Sequence, residues 1–159
     1  MCGRFTRSKD YFSEHANQRA FLDELGLAFS APVPPSYNVA PTQVVAAVRS
    51  VDDRRELVLL RWGLVPGWAP DLAIGNKMIN ACADTVAEKP AYRNAFKMRR
   101  CLILADGFYE WRKDGKAKQP YYIHLKDGRP FCFAGLWEHW SKSEKPIETC
   151  TIITTGRTG

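Results

Sequence analysis

Apolar and polar residues change period several times along the chain, and those changes mark out the elements. Tyr11, Phe12, Ala16, Ala20, Phe21 and Leu25 recur at helical spacing, with Ser8 placed to cap the helix start and Gly26 to stop it. Pro32, Pro34, Pro35 and Pro41 then favour an ordered loop around Tyr37 and Asn38, because proline brings no N–H to a ladder. Residues 43–48 and 56–62 read as two strands joined by the polar turn Asp52-Asp53-Arg54-Arg55. A second helix is expected over 88–98, with Tyr92, Ala95 and Phe96 inward and Pro90 in its first turn. Short strands follow at 101–105, 108–112, 120–125, 130–134 and 149–155, with Asp114-Gly115 and Asp127-Gly128 supplying hairpin turns. The fold class this predicts is α+β: one domain over residues 1–159, a strongly curved, mainly antiparallel, barrel-like sheet and a few peripheral helices.

Composition narrows the range of functions. The 159 residues are 45% apolar and 12% aromatic, enough for a buried core. No signal-peptide stretch or run of about 18 apolar residues occurs, so no membrane role is expected and the default location is cytoplasmic, with nucleoid association. The five cysteines are an odd number, widely spaced, and no histidine stands at zinc-ligand spacing, which argues against a disulfide framework, a structural metal or any cofactor. The excess of 23 Lys and Arg over 17 Asp and Glu, net +6, favours a polyanionic partner.

The most reactive position is Cys2. A cysteine after the initiator is small enough for Met1 to be removed, which leaves an α-amine and a thiol on one residue. Their reference pKa values, ~7.7–8.0 and ~8.5, make both nucleophiles accessible near neutrality, and Arg4 is expected to lower the thiol further. The amine can form an imine with an aldehyde, and the thiol can close a five-membered thiazolidine on the same carbon. A ring-opened abasic deoxyribose is such an aldehyde. The same terminus equally suits an N-terminal-nucleophile hydrolase, in which the amine is the base and the thiolate attacks an amide.

Five motifs in order, Met1-Cys2-Gly3-Arg4-Phe5, Tyr37-Asn38-Val39-Ala40-Pro41-Thr42, Arg61-Trp62-Gly63-Leu64-Val65-Pro66-Gly67-Trp68, Met78-Ile79-Asn80-Ala81 and Ala105-Asp106-Gly107-Phe108-Tyr109-Glu110-Trp111, resemble the SOS-response-associated peptidase (SRAP) family. The resemblance implies a monomeric sensor that crosslinks to abasic sites in single-stranded DNA and at single-strand to double-strand junctions, after removing its own Met1. It implies Cys2 as nucleophile, Asn80 orienting the terminus and sugar, and Glu110 moving protons. A carboxyl flanked in sequence by Tyr109 and Trp111 would be partly desolvated, which suits that task. Arg4 and Thr154 suit phosphate contacts, Trp68 suits stacking on a base, and Asn38 and Pro41 suit a groove wall. Trp62 is expected in the core and the basic run 113–118 at a solvated hairpin tip.

Two departures from the family pattern stand out. Cys82 and Asp84 occupy positions where the family carries arginine and glutamate, which predicts weaker phosphate binding and a shallower salt dependence. After Thr151-Ile152-Ile153-Thr154-Thr155 the family's His-x-Arg-Met-Pro segment does not follow, and His15, His124 and His139 are the only histidines. The strand ending at Thr155 is therefore expected at a sheet edge, with slower proton transfer at the sugar. A peptidase or amidohydrolase using Cys2, and a noncovalent single-strand DNA-binding module, remain competing readings.

Overall fold

The structure is a computed structural model and describes residues 2–8, 16–27 and 33–156. Its centre is a closed barrel of five strands, β3 (Val44–Val51), β4 (Arg54–Trp62), β6 (Arg100–Ala105), β9 (Phe131–Trp140) and β10 (Ile147–Thr154), in the ring order β4-β3-β6-β9-β10. Antiparallel pairings make most of the ring, and the parallel pairs Thr149↔Arg61 and Cys150↔Trp62 close it. The expected curved, mainly antiparallel, barrel-like α+β fold is the fold observed. The parallel closure was not foreseen, because it joins strands almost ninety residues apart.

The pattern of burial explains how the barrel is filled and covered. Val45 and Ala47 point inside with Leu60, Trp62, Ile103, Cys150 and Ile152. Ala46 and Val48, on the other face of β3, are buried under Leu22 and Leu27 of helix α1 (Ala16–Glu24) and its exit. A strand buried on both faces reads as a continuous apolar run, which is what Val44-Val45-Ala46-Ala47-Val48 is. Helix α2 (Arg93–Met98) covers another outer face, setting Tyr92 and Ala95 against Leu64, Ala81 and Leu136. Trp62 is fully buried, as its place in a strand predicted.

A second sheet of four strands, in the order β2-β1-β7-β8, stands against the barrel: β2 (Ser36–Val39), β1 (Phe5–Arg7), β7 (Gly107–Asp114) and β8 (Ala117–Ile123). Phe5 and Val39 from this sheet join the barrel interior. The two sheets meet at Asp106, which is buried between β6 and β7. Its carboxylate accepts from Thr6 Oγ1 at 2.6 Å, Ser8 N at 2.7 Å and Ser8 Oγ at 2.8 Å.

Several expectations change. The proline-rich segment is not all loop, since 36–39 form edge strand β2 after the last adjacent proline. The β3–β4 turn is only Asp52-Asp53, both left-handed (φ 49° and 61°), because the strands extend to Val51 and Arg54. Helix α2 begins at Arg93 rather than 88, since Pro90 has no N–H and holds Lys89 away from helical geometry. Asp127-Gly128 is a turn, but it links β8 to β9 in different sheets and so makes no hairpin. Strand β10 is no edge: β9 lies along one side, with β4 and then β5 (Asn80–Cys82) along the other. Gly26 does end α1, at φ 68°, with Leu27 N donating to Leu22 O. Ser8 is tethered to Asp106, and residues 9–15, where its helix would start, lie outside the described residues. The run 113–118 is an exposed hairpin tip, as expected.

Candidate active site

The site forms where the two sheets meet. Strand β1 pairs antiparallel with β7 at Phe5↔Phe108, and Tyr109 N donates to Arg4 O at 3.0 Å. Carrying that register two residues further sets Gly3 opposite Glu110. Side chains alternate along a strand, so Glu110 shares the barrel-facing side of β7 with Phe108. Tyr109 and Trp111 lie on the opposite face, with ring centroids 6.3 Å apart. The expected flanking of Glu110 by these two rings is therefore wrong; adjacent residues on a strand face apart.

Cys2 is buried, at 5% exposure, in the interior cluster with Phe5 and Trp62. Its thiol donates weakly to Arg4 O at 3.8 Å. Burial pushes the thiol pKa up to about 12, the Glu110 charge pushes the same way, and a hydrogen bond with the Arg4 backbone and the charge of the chain terminus oppose them. The expected lowering by Arg4 does not occur. The Arg4 guanidinium turns instead to Asn38, where Nη1 donates to Oδ1 at 2.9 Å.

Asn80 reaches the same terminus from the barrel. Its Nδ2 donates to Cys2 O at 2.9 Å, while its Oδ1 is buried with no hydrogen-bond partner among the described residues. Strand β5 holds Asn80 through its parallel pairing with β10, Ile152↔Asn80. Trp62 Nε1 donates to Ile79 O at 3.0 Å, Ile152 N donates to the same carbonyl at 3.1 Å, and Tyr92 OH donates to Asn80 O at 3.4 Å. These anchors on either side of the Asn80 peptide were not read from the sequence; a strand tryptophan, a backbone amide and a tyrosine carry no spacing that announces them.

Cys2, Asn80 and Glu110 thus come together, with Arg4 and Asn38 joined beside them. The remaining residues are placed as follows. Pro41 is half-buried in the turn after β2, where Gln43 N donates to Ala40 O at 3.2 Å. Thr154 pairs with Cys82, and Ala83 N donates to Thr154 O at 2.9 Å, so Thr154 stands beside the two positions that depart from the family. Cys82 is exposed, its thiol 3.9 Å from Asp84 Oδ2. Trp68 is 57% exposed on its own loop, whose carbonyl accepts from Lys142 Nζ at 2.7 Å; nothing ties it to the Cys2 cluster. All five cysteines are free, and among the described residues no group of His, Cys, Asp and Glu is arranged to hold a metal. No helix of the described residues is long and apolar enough to cross a membrane.

The family model described as SOS response associated peptidase (SRAP) matches residues 1–158. YoqW of Bacillus subtilis strain 168, named an abasic site processing protein, is 46% identical over 159 residues, covering 98% of this chain and 68% of that one. YedK of Escherichia coli K12, which bears the same name, is 33% identical over 141 residues, covering 86% of this chain and 59% of that one. A crystal structure of a protein from Bacteroides thetaiotaomicron superimposes with a TM-score of 0.77 at 28% identity, covering 97% of this chain and 68% of that chain. With its N-terminal cysteine set between a barrel asparagine and a β7 glutamate, and with matches of this extent, the chain belongs to the SRAP family.

Proposed function

We propose that this protein processes abasic sites in single-stranded DNA by capturing the ring-opened sugar covalently on Cys2 once Met1 has been removed. The observation that carries the reading is the convergence on one residue of the Asn80 amide, 2.9 Å from the Cys2 carbonyl, and the Glu110 charge, close enough to raise the Cys2 thiol. While Met1 is attached, the Cys2 nitrogen is an amide and not a nucleophile.

The amine leads the reaction. It adds to the aldehyde carbon, the Glu110 carboxylate takes the proton that the amine sheds and returns it to the hydroxyl, and water departs to leave an imine. The thiol, held protonated by burial, then adds to that carbon, and its proton ends on the ring nitrogen of a thiazolidine. One water is lost overall, and no oxidant or metal takes part. Asn80 fixes the Cys2 peptide through Nδ2, and its buried Oδ1 supplies an acceptor for the freed amine. A thiol pushed up to about 12 is a poor opening nucleophile, which favours amine-first capture over amide hydrolysis initiated by a thiolate. In this reading Arg4 with its partner Asn38, Pro41 and Thr154 contact the strand, and the exposed Trp68 ring stacks on a base.

The test begins with intact mass, to establish loss of Met1. The protein is then incubated with a single strand carrying one abasic site and run on a denaturing gel. A heat-stable shifted band is expected from the wild type. Cys2→Ser should give only an imine that needs borohydride to be trapped, and Glu110→Gln should slow capture by about 10²–10⁴-fold, the usual worth of a positioned acid or base. Absence of any wild-type band would refute capture. A heat-stable Cys2→Ser band would refute the thiazolidine, and turnover of a peptide or glutamine without DNA would favour the hydrolase.

A further inference from the structure

At the rim of the barrel, the ends of β3, β4 and β6 form a pocket of about 240 Å³ beside Leu25 at the exit of α1; Cys101, from the edge of the interior cluster, lines its back and Cys2 is not among its lining residues. The strand register explains its chemistry. Ser50 pairs with Arg55, and Arg49 pairs with Cys101, so one step further places Arg100 beside Ser50 on its other side. This makes a row of Arg55, Ser50 and Arg100 on one face of three strands. The next row on the same face is Leu57, Val48 and Leu102. A cationic row therefore borders an apolar row, and Leu25 walls the apolar end.

The two arginines are differently held. Arg55 Nη1 donates to Leu25 O at 2.9 Å, which anchors the guanidinium at the α1 exit and uses one of its five N–H donors. Arg100 is exposed, and among the described residues no carboxylate pairs with it. Strands stand ~4.8 Å apart, so the two Cα atoms lie about 10 Å apart across Ser50, a spacing that lets both guanidinium groups close on one anion. The back edge adds no competing charge directed into the pocket. Arg49 is occupied by Glu56 at 2.7 Å and Glu148 at 2.5 Å, and burial holds the Cys101 thiol protonated.

We propose that this pocket binds a small organic anion, a phosphate or carboxylate head on a short apolar body. Arg55, Ser50 and Arg100 take the head, and Val48, Leu102 and Leu25 take the body. The volume falls below the ~300–1,000 Å³ of pockets for drug-sized molecules, which restricts the ligand to a few carbons beyond its head. Leu102 is 40% exposed although it is apolar and central to the wall, and a ligand body seated there would cover it.

The test uses hexyl phosphate, with inorganic phosphate and hexanol as half-ligands, titrated into the full chain and followed by amide NMR shifts. Hexyl phosphate is expected to move Ser50, Arg100 and Leu102 in one saturable event, with each half-ligand at least 10-fold weaker. Arg100→Gln, an exposed change that spares the fold, should weaken hexyl phosphate at least 10-fold, and Leu102→Ser should weaken it without altering the response to inorganic phosphate. Undiminished binding by Arg100→Gln, or shifts confined to other regions, would overturn the site. Displacement of hexyl phosphate by an undamaged oligothymidine would overturn the small-molecule assignment and make the arginines a contact for nucleic-acid phosphate. A hexanoate that binds like hexyl phosphate supports the shared anion chemistry, whereas inorganic phosphate binding as tightly as hexyl phosphate would overturn the apolar half.

Discussion

The barrel and the four-stranded sheet solve the same problem, satisfying strand backbone groups, in different ways. The barrel closes on itself through β10 and β4, and its strands carry the large side chains that are wholly buried, Trp62, Leu60 and Ile103 among them. The smaller sheet stays open, ends in the exposed hairpin β7–β8, and is held to the barrel by Phe5, Val39 and the Asp106 cluster. Asn80 belongs to the first unit, Cys2 and Glu110 to the second. Reactive geometry therefore depends on the joint between a rigid body and a more exposed one, and that joint can be loosened without unfolding the barrel.

The largest break is in the barrel. Trp62→Ala removes a fully buried indole, its edge-on contact with Phe5 at 5.2 Å and its bond to Ile79 O, so a loss of about 3–5 kcal/mol is expected in denaturant unfolding. Next is the joint itself. Asp106→Ala strands the Ser8 amide and leaves the Thr6 hydroxyl only Gly107 O and Tyr122 OH, and should lower stability by about 1–3 kcal/mol while slowing capture more than so remote a change otherwise would. If Asp106→Ala reduced stability and left the rate untouched, the two units would not be coupled as described.

Alkali probes both units together. The thiols of Cys2 and Cys101, raised to about 12, and of Cys132, raised to about 11, bind their protons more tightly folded than unfolded. Stability from this source is fully present below the unfolded value near 9 and is lost as pH rises through 11 to 12. The unfolding free energy should fall steadily above pH 9, by up to about 1.4 kcal/mol per pH unit for each thiol, and Cys101→Ala should flatten the slope. Labelling sharpens the same contrast: at pH 8 a maleimide should modify exposed Cys82 and leave Cys2 unreacted. Prompt labelling of Cys2 would contradict its burial. Smallest of all, Trp68→Ala should change stability by less than about 0.5 kcal/mol, since its ring is mostly in solvent, and any weakening of strand binding would be read separately by salt titration.

How much was legible differs between the units for a physical reason. The hairpin β3–β4 was readable because alternation and a two-aspartate turn are local signals. The extension of β9 past Gly135 was not, because a glycine weakens the strand signal. Here glycine is required: a Cβ would stand 2.9 Å from Ile103 Cδ1 and Thr151 O on the flanking strands. Asp106 was legible as part of a motif but not as the joint, since its partners Thr6 and Ser8 lie about a hundred residues away.

By itself the sequence determined a barrel-like α+β fold and the residues on which the proposed chemistry rests, a cysteine after the initiator able to expose amine and thiol together, and an asparagine and a glutamate within recognisable motifs. It also determined that basic charge exceeds acidic. Tertiary structure decided how those groups stand: that Cys2 is buried with its thiol raised rather than lowered, that Glu110 faces the barrel while its aromatic neighbours face away, and that Arg4 turns to Asn38. Local pattern fixes identity and periodicity, but ionisation and reach depend on solvent exclusion and on partners supplied by distant strands.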